Sequence, residues 1–190
     1  MDEQAEQFEQ RVRTVLEGRA RRVVDDPDLR CAAVLVPLLW KEGEWYVVVT
    51  QRTQQVEHHK GQVSFPGGAC DDGDVDLRAT ALRETYEEIG VPPELVDILG
   101  TLDDFPTITY FNVTPFVGVL SQPVVYRPNQ GEVQAVAEVP LSFLRDPATL
   151  RVVPMEHLGQ VFDVLFWDYG PFTIWGATAR ILKTFLDLIF

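Results

Sequence analysis

Apolar residues recur at helical spacing near both ends of the chain and once in its middle; elsewhere they alternate or run together as in strands. Phe8, Val12, Val15 and Leu16 stand three and four apart on a charged segment, which predicts a helix over residues 2–24 that is punctuated by Asp26-Pro27-Asp28. Two β-branched runs, 31–40 and 45–50, flank Lys41-Glu42-Gly43-Glu44 and read as a β-hairpin. Residues 51–60 are polar and read as loop, and 62–65 as a short strand stopped by Pro66-Gly67-Gly68. After an acidic loop at 71–76, residues 77–89 have the composition of a helix, with Ala79, Leu82, Tyr86 and Ile89 on one face. Gly90 suits its C-terminal cap and Pro92-Pro93 forbids continuation. Residues 95–102, 112–120 and 133–139 read as strands, and 141–144 and 177–188 as helices. No biased linker or internal repeat divides the chain. The expectation is one α+β domain over 1–190, with a helical extension at 1–28 and a core at 30–188 in which helices cover a mixed sheet.

Composition narrows the class. A chain of 190 residues, 46% hydrophobic and 24% charged, is that of an ordinary globular domain. With 29 acidic against 16 basic residues the net charge is −13, which argues against nucleic acid as a partner. Small phosphorylated substrates stay open, provided divalent cations bridge the two. Cys31 and Cys70 are too few for a disulfide framework and form no CxxC zinc pattern. The polar, acidic start is neither a signal nor a transit peptide, and no apolar run reaches membrane-spanning length, so a cytoplasmic protein without a membrane partner is expected.

The chemistry concentrates at Arg83-Glu84-Thr85-Tyr86-Glu87-Glu88. On a helix Glu84, Glu87 and Glu88 point to roughly one side, where like charges repel by a few tenths of a kcal/mol per pair. They also approach the helix C-terminus, where the macrodipole disfavours them. A solvated surface explains three glutamates in isolation; a hard divalent cation resolves their conflict, because Mg²⁺ prefers carboxylate oxygens. The preceding Phe65-Pro66-Gly67-Gly68 favours the second reading, since glycine lets a main-chain carbonyl approach an ion. Asp74 is placed to reach Arg83.

The stretch Gly68-x5-Asp74-x8-Arg83-Glu84-Thr85-x-Glu87-Glu88-x-Gly90-Val91 resembles the Nudix box, G-x5-E-x7-R-E-U-x-E-E-x-G-U, where U is a bulky aliphatic residue. Aspartate replaces the first acid, one residue lies extra before the arginine, and Thr85 replaces an aliphatic. The resemblance implies a Nudix-like α/β/α sandwich. It also implies Mg²⁺, with Mn²⁺ as substitute, held by Glu84, Glu87, Glu88 and the carbonyl around Gly67 or Gly68. Arg83 would orient a ligand carboxylate, and Asp74 would support Arg83.

Upstream, Val48-Val49-Thr50-Gln51-Arg52-Thr53 and Gly61-x3-Phe65-Pro66-Gly67-Gly68 are similar to the coenzyme A pyrophosphatase branch of Nudix proteins. Thr53 stands for Ser or Ala, and Glu57 for a second arginine. Phe111-Asn112-Val113-Thr114-Pro115-Phe116 and Ile174-Trp175-Gly176-Ala177-Thr178 add to this likeness. The likeness implies hydrolysis of coenzyme A or a derivative to 3′,5′-ADP and 4′-phosphopantetheine. The alternatives are ADP-ribose, dinucleotides or damaged nucleoside triphosphates as substrate, or a nucleotide sensor without activity. Arg52 is the candidate phosphate contact, with Phe65 and Gly67 also set against substrate; Glu87 or Glu132 is the candidate general base. His58 and His59 are adjacent and read as solvated loop residues. Tyr110, Phe111, Phe162, Phe166, Trp167 and Trp175 are assigned to core or to contacts in a homodimer, with one of them able to stack on an adenine.

Overall fold

The computed structural model describes residues 2–54, 61–157 and 159–190, with His157 as backbone only. Glu57, His58 and His59 lie outside the described residues. Helix α1 (Glu3–Glu17) leads to the hairpin β1 (Arg30–Lys41) and β2 (Glu44–Arg52), then to β3 (Val63–Ser64) and β4 (Gly67–Ala69). Helix α2 (Leu77–Ile89) is followed by β5 (Val96–Thr101), β6 (Phe105–Pro106), β7 (Phe111–Leu120) and β8 (Val133–Pro140). The chain ends with α3 (Leu141–Arg145), β9 (Leu150–His157), β10 (Gln160–Tyr169), β11 (Phe172–Trp175) and α4 (Gly176–Ile189).

The main sheet runs β3-β2-β1-β7-β5, with β4 beside the start of β1, β6 beside β7 and β8 beside β2. β1 and β7 are parallel, with Ala33 opposite Thr114, while β1 pairs antiparallel with β2 and β4. The sheet is therefore mixed. Alternation along β1 feeds both faces: Ala33, Leu35 and Leu39 pack with Ala81 and Ile89 of α2. Val36 and Leu38 pack with Val12 and Leu16 of α1 and Leu182 and Phe185 of α4. Helices thus cover both faces, as an α/β/α sandwich requires.

Two expectations are corrected. α1 stops at Glu17 rather than near Val24, because the backbone of 18–24 is drawn into bonds with the core: Arg22 N donates to Asp103 Oδ1 and Val24 N to Asp104 Oδ2, both at 3.0 Å. Helix α2 has the expected bounds, but Tyr86 is 55% exposed, and the inward face is Thr80, Ala81, Thr85, Glu88 and Ile89. Thr85 can replace an aliphatic there because its hydroxyl donates to the Ala81 carbonyl at 2.7 Å, leaving only its methyl to pack. A second sheet, β11-β10-β9, which the sequence does not predict, forms over residues that carry no clean alternation. There Trp167 is buried, Phe166 stacks on Trp175 with centroids 6.0 Å apart, and Phe162 is exposed.

Cys31 and Cys70 form a disulfide that joins the beginning of β1 to the end of β4. Among the described residues no helix is long and apolar enough to cross a membrane.

Candidate functional site

Helix α2 is held at both ends by its own flanks. Asp76 caps the N-terminus by accepting from Ala79 N at 2.7 Å, and Gly90 closes the C-terminus in the left-handed region at φ 71. The last carbonyls are not left to water: Arg127 N donates to Ile89 O at 2.8 Å and Asn129 N to Glu88 O at 2.9 Å. These bonds fasten the segment between β7 and β8 to the end of the helix that carries the acidic residues.

Arg83 organises the near side. Its Nε and Nη2 grip Asp74 Oδ1 at 2.9 Å and Oδ2 at 3.0 Å. Nη2 also donates to the Ala69 carbonyl at 3.1 Å, and Nη1 to Glu84 Oε1 at 2.8 Å and Glu87 Oε2 at 3.1 Å. With its five donors engaged, the guanidinium has none free for a phosphate and serves to join helix, loop and strand. The Arg83 bonds hold Asp74 well below the usual carboxylate range, helped by the Asp71 amide and the Thr80 hydroxyl.

Glu84 lies against β4 so closely that a Cβ on Gly68 would come within 2.6 Å of its carboxyl carbon. Only glycine keeps that approach open. Burial raises the Glu84 pKa, Arg83 opposes this, and the charges of Glu87 and Glu132 raise it further. Glu87 has a half-exposed side chain.

Glu88 is the unusual member, with its side chain 2% exposed. One oxygen, Oε1, lies 3.3 Å from Arg52 Nη1; Oε2 has no partner, and neither does Arg52 Nε. Burial pushes the Glu88 carboxyl up to about 8, with Arg52 and the Gly67 amide pulling it down and Glu84 and Glu132 pushing it up. A buried carboxylate with an orphaned oxygen costs free energy unless a ligand completes it. Oxygen donors from Glu84, Glu87 and Glu88, the orphaned Glu88 Oε2 and an unobstructed backbone at Gly68 together fit a hard divalent cation.

Placement of the other expected residues is mixed. Glu132 is exposed at the mouth, and its charge is felt at both Glu84 and Glu88. Arg52 meets Glu88 rather than standing free for a phosphate. Phe65, expected against substrate, is 2% exposed and packs in the core with Val63 and Thr178's neighbours on α4, so its ring anchors the glycine loop from below. Gly67 contributes its amide toward Glu88. Among the described residues no three acidic, His or Cys side chains converge as a ready cage: Glu84 and Glu87 turn to Arg83, and Glu88 to Arg52. Sequence reasoning missed Asn129, which binds the helix end and the loop of Glu132; the Asn-x-Gly turn pattern was its available signal.

The NUDIX domain family model matches residues 29–174. A protein described as "Uncharacterized Nudix hydrolase NudL" from Enterobacter sp. (strain 638) is 39% identical over 154 residues, covering 81% of this chain and 80% of its own. Its counterpart in Escherichia coli O1:K1 / APEC is 36% identical over the same shares. A Nudix hydrolase structure from Alicyclobacillus acidocaldarius superposes with a TM-score of 0.56 at 22% identity, over 84% of this chain and 92% of that one. An Ap4A hydrolase from C. elegans superposes with a TM-score of 0.51 at 23% identity, over 60% of this chain and 82% of that one. These two likenesses concern the fold.

Proposed function

Because the chain belongs to the Nudix hydrolase family, whose members act on nucleotide diphosphate-type substrates with divalent cations, we propose that it hydrolyses the diphosphate of coenzyme A or a derivative to 3′,5′-ADP and 4′-phosphopantetheine, with Mg²⁺ as its metal and Mn²⁺ as substitute. The observation that carries the catalytic part is Glu88: a carboxylate 2% exposed, with one orphaned oxygen, between Arg52 and the Gly67–Gly68 backbone. Glu84, Glu87, Glu88 and the carbonyl around Gly68 would hold the metal, which would supply charge neutralisation at the diphosphate and a lower pKa for the attacking water.

The chain's own groups do the remaining work. Arg83, saturated by Asp74, Ala69, Glu84 and Glu87, holds two of the metal-binding carboxylates in place. Arg52 lies 3.3 Å from Glu88 Oε1, and its guanidinium would be the group to pair with a substrate phosphate if that contact were released. Glu132 or Glu87, both accessible, removes the water's proton, a contribution of about 10²–10⁴-fold in rate.

The coenzyme A assignment rests on the two segments that resemble that branch. They meet at the site: Thr50 Oγ1 lies 3.3 Å from Ser64 O, Arg52 N donates to Gln62 O at 2.9 Å, and β2 thereby carries Arg52 to Glu88. Glu57, standing where that branch has a second arginine, removes a cation that could pair with a substrate phosphate, so ADP-ribose, dinucleotides and damaged nucleoside triphosphates are the alternatives. Incubating the protein with Mg²⁺ and coenzyme A, ADP-ribose, NADH or nucleoside triphosphates, with products identified by mass, decides between them. Release of 3′,5′-ADP and 4′-phosphopantetheine is the expected result. Turnover confined to ADP-ribose overturns the substrate, and turnover of none favours a nucleotide sensor.

A further inference from the structure

The segment between β7 and β8 has no regular structure of its own, yet it is tied to both α2 and β2, and Asn129 supplies one of those ties and most of the bonds that shape the turn into β8. Asn129 N donates to the Glu88 carbonyl at 2.9 Å, which ties the segment to the end of α2. Its own carbonyl accepts from Glu132 N at 2.9 Å and Val133 N at 2.7 Å, and its Oδ1 accepts from Gly131 N at 3.1 Å. The remaining donor, Nδ2, lies 3.4 Å from Glu132 Oε1. On the other side Thr53 N donates to the Glu132 carbonyl at 2.8 Å, and Thr53 Oγ1 to the Gly131 carbonyl at 3.1 Å. The backbone of Glu132 is therefore fixed from β2 and from α2, while its side chain is exposed and, among the described residues, its carboxylate accepts only from the amide of Asn129.

From this arrangement we infer that Asn129 is a positioning residue for the reaction: it couples the end of the metal-binding helix to Glu132 and aims that carboxylate across the mouth of the site. The inference rests on the proposed role of Glu132 as the group that takes the water's proton. An exposed glutamate samples several rotamers, and each wrong one removes it from reach of the attacking water. One weak bond from a residue whose own backbone is clamped to the Glu88 carbonyl biases that choice.

Two substitutions separate aim from architecture. Asn129→Asp keeps the Oδ1 that accepts from Gly131 N but replaces the donor to Glu132 with a like charge. Asn129→Ser also satisfies Gly131 N through a short polar turn, yet cannot reach Glu132. Steady-state kinetics at saturating Mg²⁺, Mn²⁺ binding by calorimetry and thermal melting are measured for both, for Glu132→Gln and for the Asn129→Asp/Glu132→Gln double variant. The expected result is a fall in kcat of about 10-fold for each Asn129 variant, with KM and Mn²⁺ affinity within about two-fold of wild type. In the Glu132→Gln background Asn129→Asp should cause no further loss, because the pair acts as a unit. Wild-type kcat in either Asn129 variant, or an additive loss in the double variant, overturns the positioning role while leaving Glu132 in place. Wild-type kcat in Glu132→Gln removes the role of Glu132 and the inference with it, and leaves the metal-site reading standing.

Discussion

At the scale of the residue, Glu88 shows how the metal-binding role proposed for it conflicts with folding. Its pKa of about 8 lies above the ordinary value of a glutamate, so between about pH 4.5 and 8 the folded chain binds a proton that the unfolded chain has released. Stability from this group is thus greatest below the unfolded pKa and is lost as the pH rises through that window. Glu88→Gln removes the titration. In metal-free protein it should raise stability at pH 8 by about 2 kcal/mol, a gain of roughly 4–8 °C in thermal midpoint, and do little at pH 5. Mg²⁺ should raise the melting temperature of wild type and not of the variant, whose kcat should fall by about 10²-fold or more. Equal melting curves at pH 8, or wild-type turnover in the variant, would show that Glu88 is an ordinary buried residue. The spacing of Glu84, Glu87 and Glu88 was readable because it lies within one helix. The pairing of Glu88 with Arg52, 36 residues away in sequence, and the burial of the Phe65 ring in the core that α4 also lines depend on contacts that only the folded chain brings together.

At the scale of the element, the bounds of α2 were legible because its stop signals are local: the left-handed Gly90 and then Pro92-Pro93 leave no other place to end. The strands β9 to β11 were not, since Val152, Met155, Val161 and Phe162 remain exposed and Pro154 interrupts the run, so no period of two marks a buried face. The contact between elements that matters most is Gly68 against Glu84. A methyl at Gly68 meets the far end of a flexible side chain rather than backbone, so the fold can yield by displacing Glu84. Gly68→Ala should therefore leave the thermal midpoint within a few degrees and, given the metal-binding role proposed for Glu84, lower kcat by about 10²-fold, the cost of moving such a group by about 1 Å. A variant that melts far below wild type would mean the backbone, and not Glu84, had given way.

At the scale of the whole molecule, the question is how residues 18–24, which lie before the matched domain, are attached to it. Asp104 is the anchor: 2% exposed, it accepts from Arg21 Nη2 at 2.6 Å, the Thr114 hydroxyl at 2.7 Å, Val24 N at 3.0 Å and Asn112 Nδ2 at 3.3 Å. Arg19 pairs with the neighbouring Asp103. This explains why the helical pattern read to Val24 gives way at Gly18: charge-assisted bonds to a buried carboxylate outweigh the few tenths of a kcal/mol per residue that helix propensity supplies. The same network predicts a specific failure. Asp104→Ala leaves the Arg21 guanidinium, the Thr114 hydroxyl and the Val24 amide without their shared acceptor, so it should destabilise the protein by about 3 kcal/mol. A urea titration reads that loss as a lower midpoint at nearly unchanged slope. Limited trypsin digestion gives the independent readout, because Arg19, Arg21 and Arg22 sit in the released stretch and should be cut faster in the variant. Unchanged cleavage together with the lower midpoint would mean that Asp104 supports the sheet alone, and that α1, through the Arg13 bond to Asp97 at 2.8 Å and its apolar face, holds the N-terminal segment without it.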